Sequence, residues 1–100
     1  MQSARQPSLY NIVNNKRAFA FELTVPDASI ASLTYRWLKG DMLLMQTTVP
    51  PALQNTPAPD ALIDHVLQHA AHHGLRIRVY CLLVSKYMQQ HPEYVGLLAP

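Results

Sequence analysis

From Arg17 onward, Phe19, Phe21, Leu23 and Val25 alternate with Ala18, Ala20, Glu22 and Thr24, the period of two expected of a half-buried strand. Pro26-Asp27 ends that strand in a turn. A second alternation sets Leu33, Tyr35 and Trp37 against Thr34 and Arg36, and Lys39-Gly40-Asp41 then supplies hairpin chemistry. The third strand spans Met42 to Val49. Its opening Met42-Leu43-Leu44-Met45 is apolar throughout, which predicts a central strand with helices on both faces of the sheet. Pro50-Pro51 cannot donate to a ladder, and Gln54 to Pro59 reads as a loop.

At Asp60 the period changes. Leu62, Ile63, Val66, Leu67 and Ala70 recur at three- and four-residue spacing, opposite Asp64, His65, Gln68, His69 and His72, so Asp60 to His73 is a helix stopped by Gly74. Leu75, Ile77, Val79 and Cys81 alternate with Arg76, Arg78 and Tyr80, a strand reached through a helical crossover and therefore parallel to the third. Val84 to Gln90 forms a short last helix, closed by His91-Pro92. The order of elements predicts one α/β (α+β) domain with a mixed central sheet over residues 14–100, preceded by a tail or edge segment, residues 1–13.

Composition narrows the function classes. One hundred residues with 49% apolar content suffice for one core and leave no room for a second domain. The net charge of +2 is spread as single charges rather than as a basic stripe, which argues against a nucleic-acid partner. No apolar run reaches the ~18 residues of a membrane span, and Met1 to Pro7 lack the apolar stretch of a leader, so the expectation is a cytoplasmic protein with no membrane partner. The lone Cys81 cannot form an internal disulfide, which agrees with a reducing compartment. Leu97 and Leu98 are either interface or tail, and the expected state is a monomer or weak homodimer. His65, His69 and His72 recur along one helical face beside His73, a spacing able to present imidazoles to a metal. A polar face rich in histidine needs no metal, and none is expected here.

Four short stretches, Phe21-Glu22-Leu23, Gln46-Thr47-Thr48-Val49-Pro50, Cys81-Leu82-Leu83-Val84 with Tyr87, and His91-Pro92-Glu93-Tyr94, stand in an order and spacing that resembles the minimal, single-domain branch of the GNAT superfamily of N-acetyltransferases. The resemblance covers about residues 15–95. It implies a GNAT-like mixed sheet and transfer of an acetyl group from acetyl-CoA to a small-molecule or protein amine. Thr47, Thr48 and Val49 would then lie along the pantetheine arm, and Gln54, Asn55, Thr56, Ala58, Asp60 and Ala61 around the pyrophosphate at the start of the long helix. It implies Tyr87 near the coenzyme sulfur as proton donor and Glu22 as a candidate base. Cys81 sits at the carboxyl end of its strand, where α/β sheets expose ligand sites, so its thiol is a third catalytic candidate, able to accept the acetyl group and pass it on; its alternation with Ile77 and Val79 favours a small core residue instead.

The chain departs from that pattern at defined positions. The superfamily loop, Gln/Arg-x-x-Gly-x-Gly/Ala, aligns with Gln54 to Pro59, and both small residues have become proline. Proline has no N–H and fixes φ near −65°, so two phosphate donors and a left-handed turn are lost; amides of Thr56, Ala58 and Ala61 would be left as a reduced cradle. The branch's His and Glu are here Gln46 and Thr48, neither of which titrates near neutral pH, and Leu82 replaces the proline after Cys81. The sequence therefore supports two readings: an acetyl-CoA-dependent N-acetyltransferase, or a catalytically inactive GNAT-fold protein serving in protein interaction or weak ligand binding. A metal-binding module using the His65 face is a third.

Overall fold

In the computed structural model, which describes residues 10–27 and 29–100, five strands form one sheet in the order β1-β2-β3-β4-β5. These are β1 (Asn11–Asn15), β2 (Ala20–Thr24), β3 (Ile30–Leu38), β4 (Asp41–Thr48) and β5 (Ile77–Val79). The first four are joined antiparallel, and β5 lies parallel to β4, as the helical crossover requires. That crossover is α1 (Ala58–His72); α2 (Leu82–Gln90) follows β5, and a 3-10 helix over Pro92–Leu97 leads to the C-terminus. The segment read as a tail or edge contains the edge strand β1, which runs through the boundary drawn at residue 13. No helix among the described residues is long and apolar enough to cross a membrane.

Local chemistry explains the joints. Lys39 and Gly40 take φ of 52° and 87°, the two positive values of a tight hairpin between β3 and β4. Gly74, at φ 62°, closes α1 with the Leu75 N–H on the Ala70 carbonyl (2.9 Å) and its own N–H on Ala71 (3.3 Å), a Schellman stop. That closure takes Leu75 out of the strand assigned to it by alternation.

The core lies between one face of the sheet and α1. Phe21, Leu23, Leu33, Met42, Leu44 and Ile77 meet Leu62, Ile63, Val66 and Leu67, all at most 2% exposed. His65 and His69 set their rings edge-on against Phe21, with centroids 5.9 and 5.2 Å away. The histidine stripe thus roofs a core aromatic. Burial against its histidine neighbours, and their repulsion, holds the His69 imidazole below its usual pKa. Among the described residues no group of three or more His, Cys, Asp or Glu is placed to hold a metal ion.

The opposite face of the sheet is open. Glu22, Ser32, Thr34 and Leu43 are half-buried there, and Arg36, Met45 and Tyr80 are exposed. The apolar run read as covered on both sides divides its burial accordingly: Met42 and Leu44 have no exposure, whereas Met45 is 38% exposed.

Candidate functional site

Two irregularities in β4 build the site. Pairing with β3 slips between Thr34 and Tyr35, which oppose Gln46 and Leu44, so Met45 is the extra residue of a β-bulge. A bulge reverses the alternation that follows it. Thr47, opposite Leu33, therefore faces the same side as Leu44, while Gln46 and Thr48 face the open side. The second irregularity is a split: β5 pairs with β4 only from Met42 to Leu44, and the Tyr80 N–H makes a last bond to the Leu44 carbonyl at 2.9 Å. Beyond it the chain turns away into α2, leaving the β5-side edge of the rest of β4 unpaired.

Cys81 stands in the split. It is the residue before α2, in extended conformation (φ −110°, ψ 126°), and its Sγ lies 3.1 Å from Thr47 Oγ1. Burial opposes ionisation of the thiol, but hydrogen bonds from Thr47 and from the backbone of Val84 and Leu83 prevail and bring it below its usual pKa. This is the environment of a stabilised thiolate at a helix N-terminus.

A cleft of about 530 Å³ runs from Thr47 to the start of α1, lined by Thr47, Val49, Gln54, Thr56, Pro59, Asp60 and Leu83. Five of the nine residues assigned to the cofactor line it: Thr47, Val49, Gln54, Thr56 and Asp60. Gln54 is fixed by its Nε2 donating to the Val49 carbonyl (3.2 Å). Thr48 points to the open face, Asn55 is exposed in the turn outside the lining, Ala58 is fully buried, and Ala61 belongs to the neighbouring histidine-lined cleft.

The expected cradle of amides requires correction. The Thr56 N–H bonds to the Leu53 carbonyl (3.3 Å), the Ala58 N–H to Thr56 Oγ1 (3.2 Å) and the Ala61 N–H to the Pro57 carbonyl (3.0 Å). Thr56, one residue before the cap position held by Pro57, braces the entry to α1, its own hydroxyl donating to Leu53 (2.7 Å). Pro57 and Pro59 have no N–H to give, so Asp60 supplies the free amide of the first turn, and it carries a carboxylate with it. A diphosphate would find one donor and one like charge where glycine-rich loops offer several donors.

None of the three catalytic assignments lines the cleft: Cys81 is buried and meets it only through Thr47, and the other two lie further away. Glu22 lies two strands from β4 on the open face, in the row Glu22, Ser32, Thr48, and Asn15 Nδ2 donates to it (3.3 Å). The Tyr87 hydroxyl donates to Asp64 Oδ1 at 2.9 Å, its ring stacked on His91 at 3.9 Å. Burial, the bond to Asp64 and that carboxylate's charge push the phenol well above its usual pKa, which weakens it as an acid. Asp64 went unrecognised in the sequence: it also accepts from the Tyr94 hydroxyl (2.6 Å) and from Gln68 Nε2 (2.9 Å). It ties α1 to α2 and to the C-terminal 3-10 helix.

A mixed sheet split beside a helix N-terminus, with a cleft along the free strand edge, defines the GNAT-like class of α/β domains. Residues 20–97 match the model of the GCN5-related N-acetyl-transferase family, and the chain belongs to that family. Among solved structures, it is similar to a GCN5-like candidate N-acetyltransferase from Staphylococcus aureus, determined in solution by NMR. The TM-score is 0.70 at 19% identity, over 93% of this chain and 91% of that one; at this identity the likeness establishes the fold. Among curated protein sequences none matches the chain.

Proposed function

We propose that this domain transfers an acetyl group from acetyl-CoA to an amine, with the thioester arm lying along the free edge of β4. The observation that carries the reading is the cleft of about 530 Å³ beside that edge, ending at Thr47, whose hydroxyl lies 3.1 Å from the sulfur of the buried Cys81. An amide-rich arm can pair with an unpaired strand as an added strand does, and Val49 and Leu83 give its carbon chain apolar walls. The arm fits this cleft. The diphosphate fits poorly, because the first turn of α1 holds one free amide beside Asp60, so the grip on the coenzyme is weak.

When bound, acetyl-CoA supplies a thioester whose C–S bond breaks as the amine's C–N bond forms; the amine loses one proton and the departing thiolate gains one. Cys81 is the residue we assign to the second proton. Its thiol, more acidic than an ordinary cysteine, gives its proton to the leaving sulfur, and Thr47 with the Leu83 and Val84 backbone holds the resulting thiolate until water reprotonates it. Tyr87, bonded to Asp64, is given no part in this step. Glu22 is on the face from which the acceptor would approach and takes the amine's proton through water, since its strand is about 10 Å from β4. A reducing, cytoplasmic setting suits the working thiol.

Cys81→Ala is expected to lower kcat about a hundredfold, the lower range for a general acid, with the Kd for acetyl-CoA unchanged in calorimetric titration. An unchanged kcat would remove Cys81 from the chemistry. The consumed amides and the two prolines favour a second reading, a non-catalytic member of the family that binds partners or ligands weakly. Absence of acetyl transfer to every amine, with no heat from millimolar acetyl-CoA, would select it.

A further inference from the structure

On the open side of the sheet, beside the Met45 bulge, lies a recess of about 250 Å³ lined by Ala18, Phe19, Thr34, Arg36, Met45 and Gln46 together with Tyr35. It sits on the far side of β4 from the cleft, with Gln46 and Thr47 directed to opposite faces between them. Its one charged lining residue is Arg36, and no carboxylate lines it. The guanidinium carbon lies over the Phe19 ring, 5.3 Å from its centroid, a cation–π contact that holds the charge at the recess without using its N–H donors. Phe19 is itself held in a costly position: it is a non-glycine residue at φ 52°, kept there by the Tyr35 N–H on its carbonyl at 2.8 Å. Thr34 Oγ1 donates to the Gln46 carbonyl (3.3 Å), which fixes the recess floor.

We propose that Arg36 is the anchor for an anionic group on the acceptor, so that the amine substrate is a small molecule bearing a carboxylate or phosphate. This rests on the acetyl-transfer reading above. Along the open face Arg36 and Glu22 lie on opposite sides of the Thr34 and Gln46 row: Arg36 is two residues beyond Thr34, and Glu22 pairs with Ser32, two residues before it. With its anion on Arg36, a zwitterion brings its nitrogen to the bulge and the β4 edge only when that nitrogen points toward Gln46. Oriented, planar guanidinium groups are the preferred partners of carboxylate and phosphate oxygens. A polyamine is disfavoured by the same cation.

The test has a binding arm and a turnover arm. In the first, full-length protein labelled with nitrogen-15 is titrated with acetate, inorganic phosphate and β-alanine. Saturable shifts at the Arg36 Nε–H and the Gln46 amide are expected, lost in Arg36→Met and weakened in Arg36→Lys. No shift, or the same shifts in Arg36→Met, would overturn the anion site whether or not the protein is an enzyme. In the second, acetyl transfer to β-alanine is compared with propylamine, and to 2-aminoethyl phosphate with ethanolamine, which separates carboxylate from phosphate. At least one anionic amine should exceed its neutral partner in kcat/KM by about tenfold or more, about one charge-assisted hydrogen bond, and Arg36→Met should abolish the preference. Preference for the neutral amines or for 1,3-diaminopropane would overturn the substrate class. If no amine is acetylated, the acetyl-transfer reading and the substrate class fall together, and the binding arm alone decides the anion site.

Discussion

Replacing Pro57 by Gly and Pro59 by Ala together is expected to tighten acetyl-CoA binding about a hundredfold. Pro59 lines the cleft, and its nitrogen occupies a first-turn position of α1 whose N–H would point along the helix axis toward an anion. Pro57 precedes the helix and sits at φ −69°, so glycine there restores both a donor and the freedom to turn left-handed. Each regained charge-assisted hydrogen bond contributes about 1.5–3 kcal/mol, and two of them correspond to about a hundredfold or more in Kd. Fold stability should change by only about 1 kcal/mol, since Thr56 Oγ1 still accepts from the Ala58 N–H. Calorimetric titration of the double variant beside the parent checks this; equal Kd values would show that the prolines are not what weakens the site.

Asp64→Ala is the change expected to cost most stability without touching the cleft. It removes the acceptor of two tyrosine hydroxyls, one of them on a tyrosine buried to 9% exposure, and of Gln68. Hydrogen bonds to a charged group contribute about 1.5–3 kcal/mol each, and a stranded buried hydroxyl adds its own penalty, so a net loss of about 2–4 kcal/mol is expected in urea unfolding. Burial, and then this same carboxylate, raise the pKa of Tyr87 and Tyr94 above that of a free phenol. With folded values above the unfolded one, the native state is favoured fully below about pH 10 and loses this contribution as pH rises through the folded values. Parent stability should therefore fall in alkali, and Asp64→Ala should show a shallower fall. Parallel pH profiles would refute the role assigned to Asp64.

Much of this fold was readable because its strands and long helix bury one face each, so periods of two and of 3.6 appear directly in Phe21-Leu23, Leu33-Tyr35 and Leu62-Ile63-Val66-Leu67. The parallel placement of β5 followed from the helix between it and β4. What escaped was set by tertiary partners. Asn11–Asn15 carries two apolar residues in a polar run and is a strand because β2 offers it a free edge. Each helix begins two residues before its expected start, α1 at Ala58 because proline suits a first turn and α2 at Leu82 because Cys81 serves as its cap.

The candidate site was legible in its backbone and less so in its side chains. The loop before α1 and the strand beside it were placed from the resemblance, and Thr47, Val49, Gln54, Thr56 and Asp60 do share one cleft. The bulge at Met45 has no signature in an apolar run, yet it decides that Thr47 reaches Cys81 while Gln46 and Thr48 face the other way. Asp64 looked like one of several polar residues on a helix face. Its tyrosine partners lie 23 and 30 residues further on, beyond the reach of any periodicity.

The proposed seat of the thioester arm of acetyl-CoA is the split between β4 and β5. Titration of nitrogen-15-labelled protein with acetyl-CoA, followed by amide shifts, tests it most directly. Saturable shifts are expected at Thr47, Val49, Asp60 and Leu83, with Val13 and Ile30 on the open face unmoved. Spectra unchanged at several millimolar ligand, or shifts clustered away from that cleft, would contradict it.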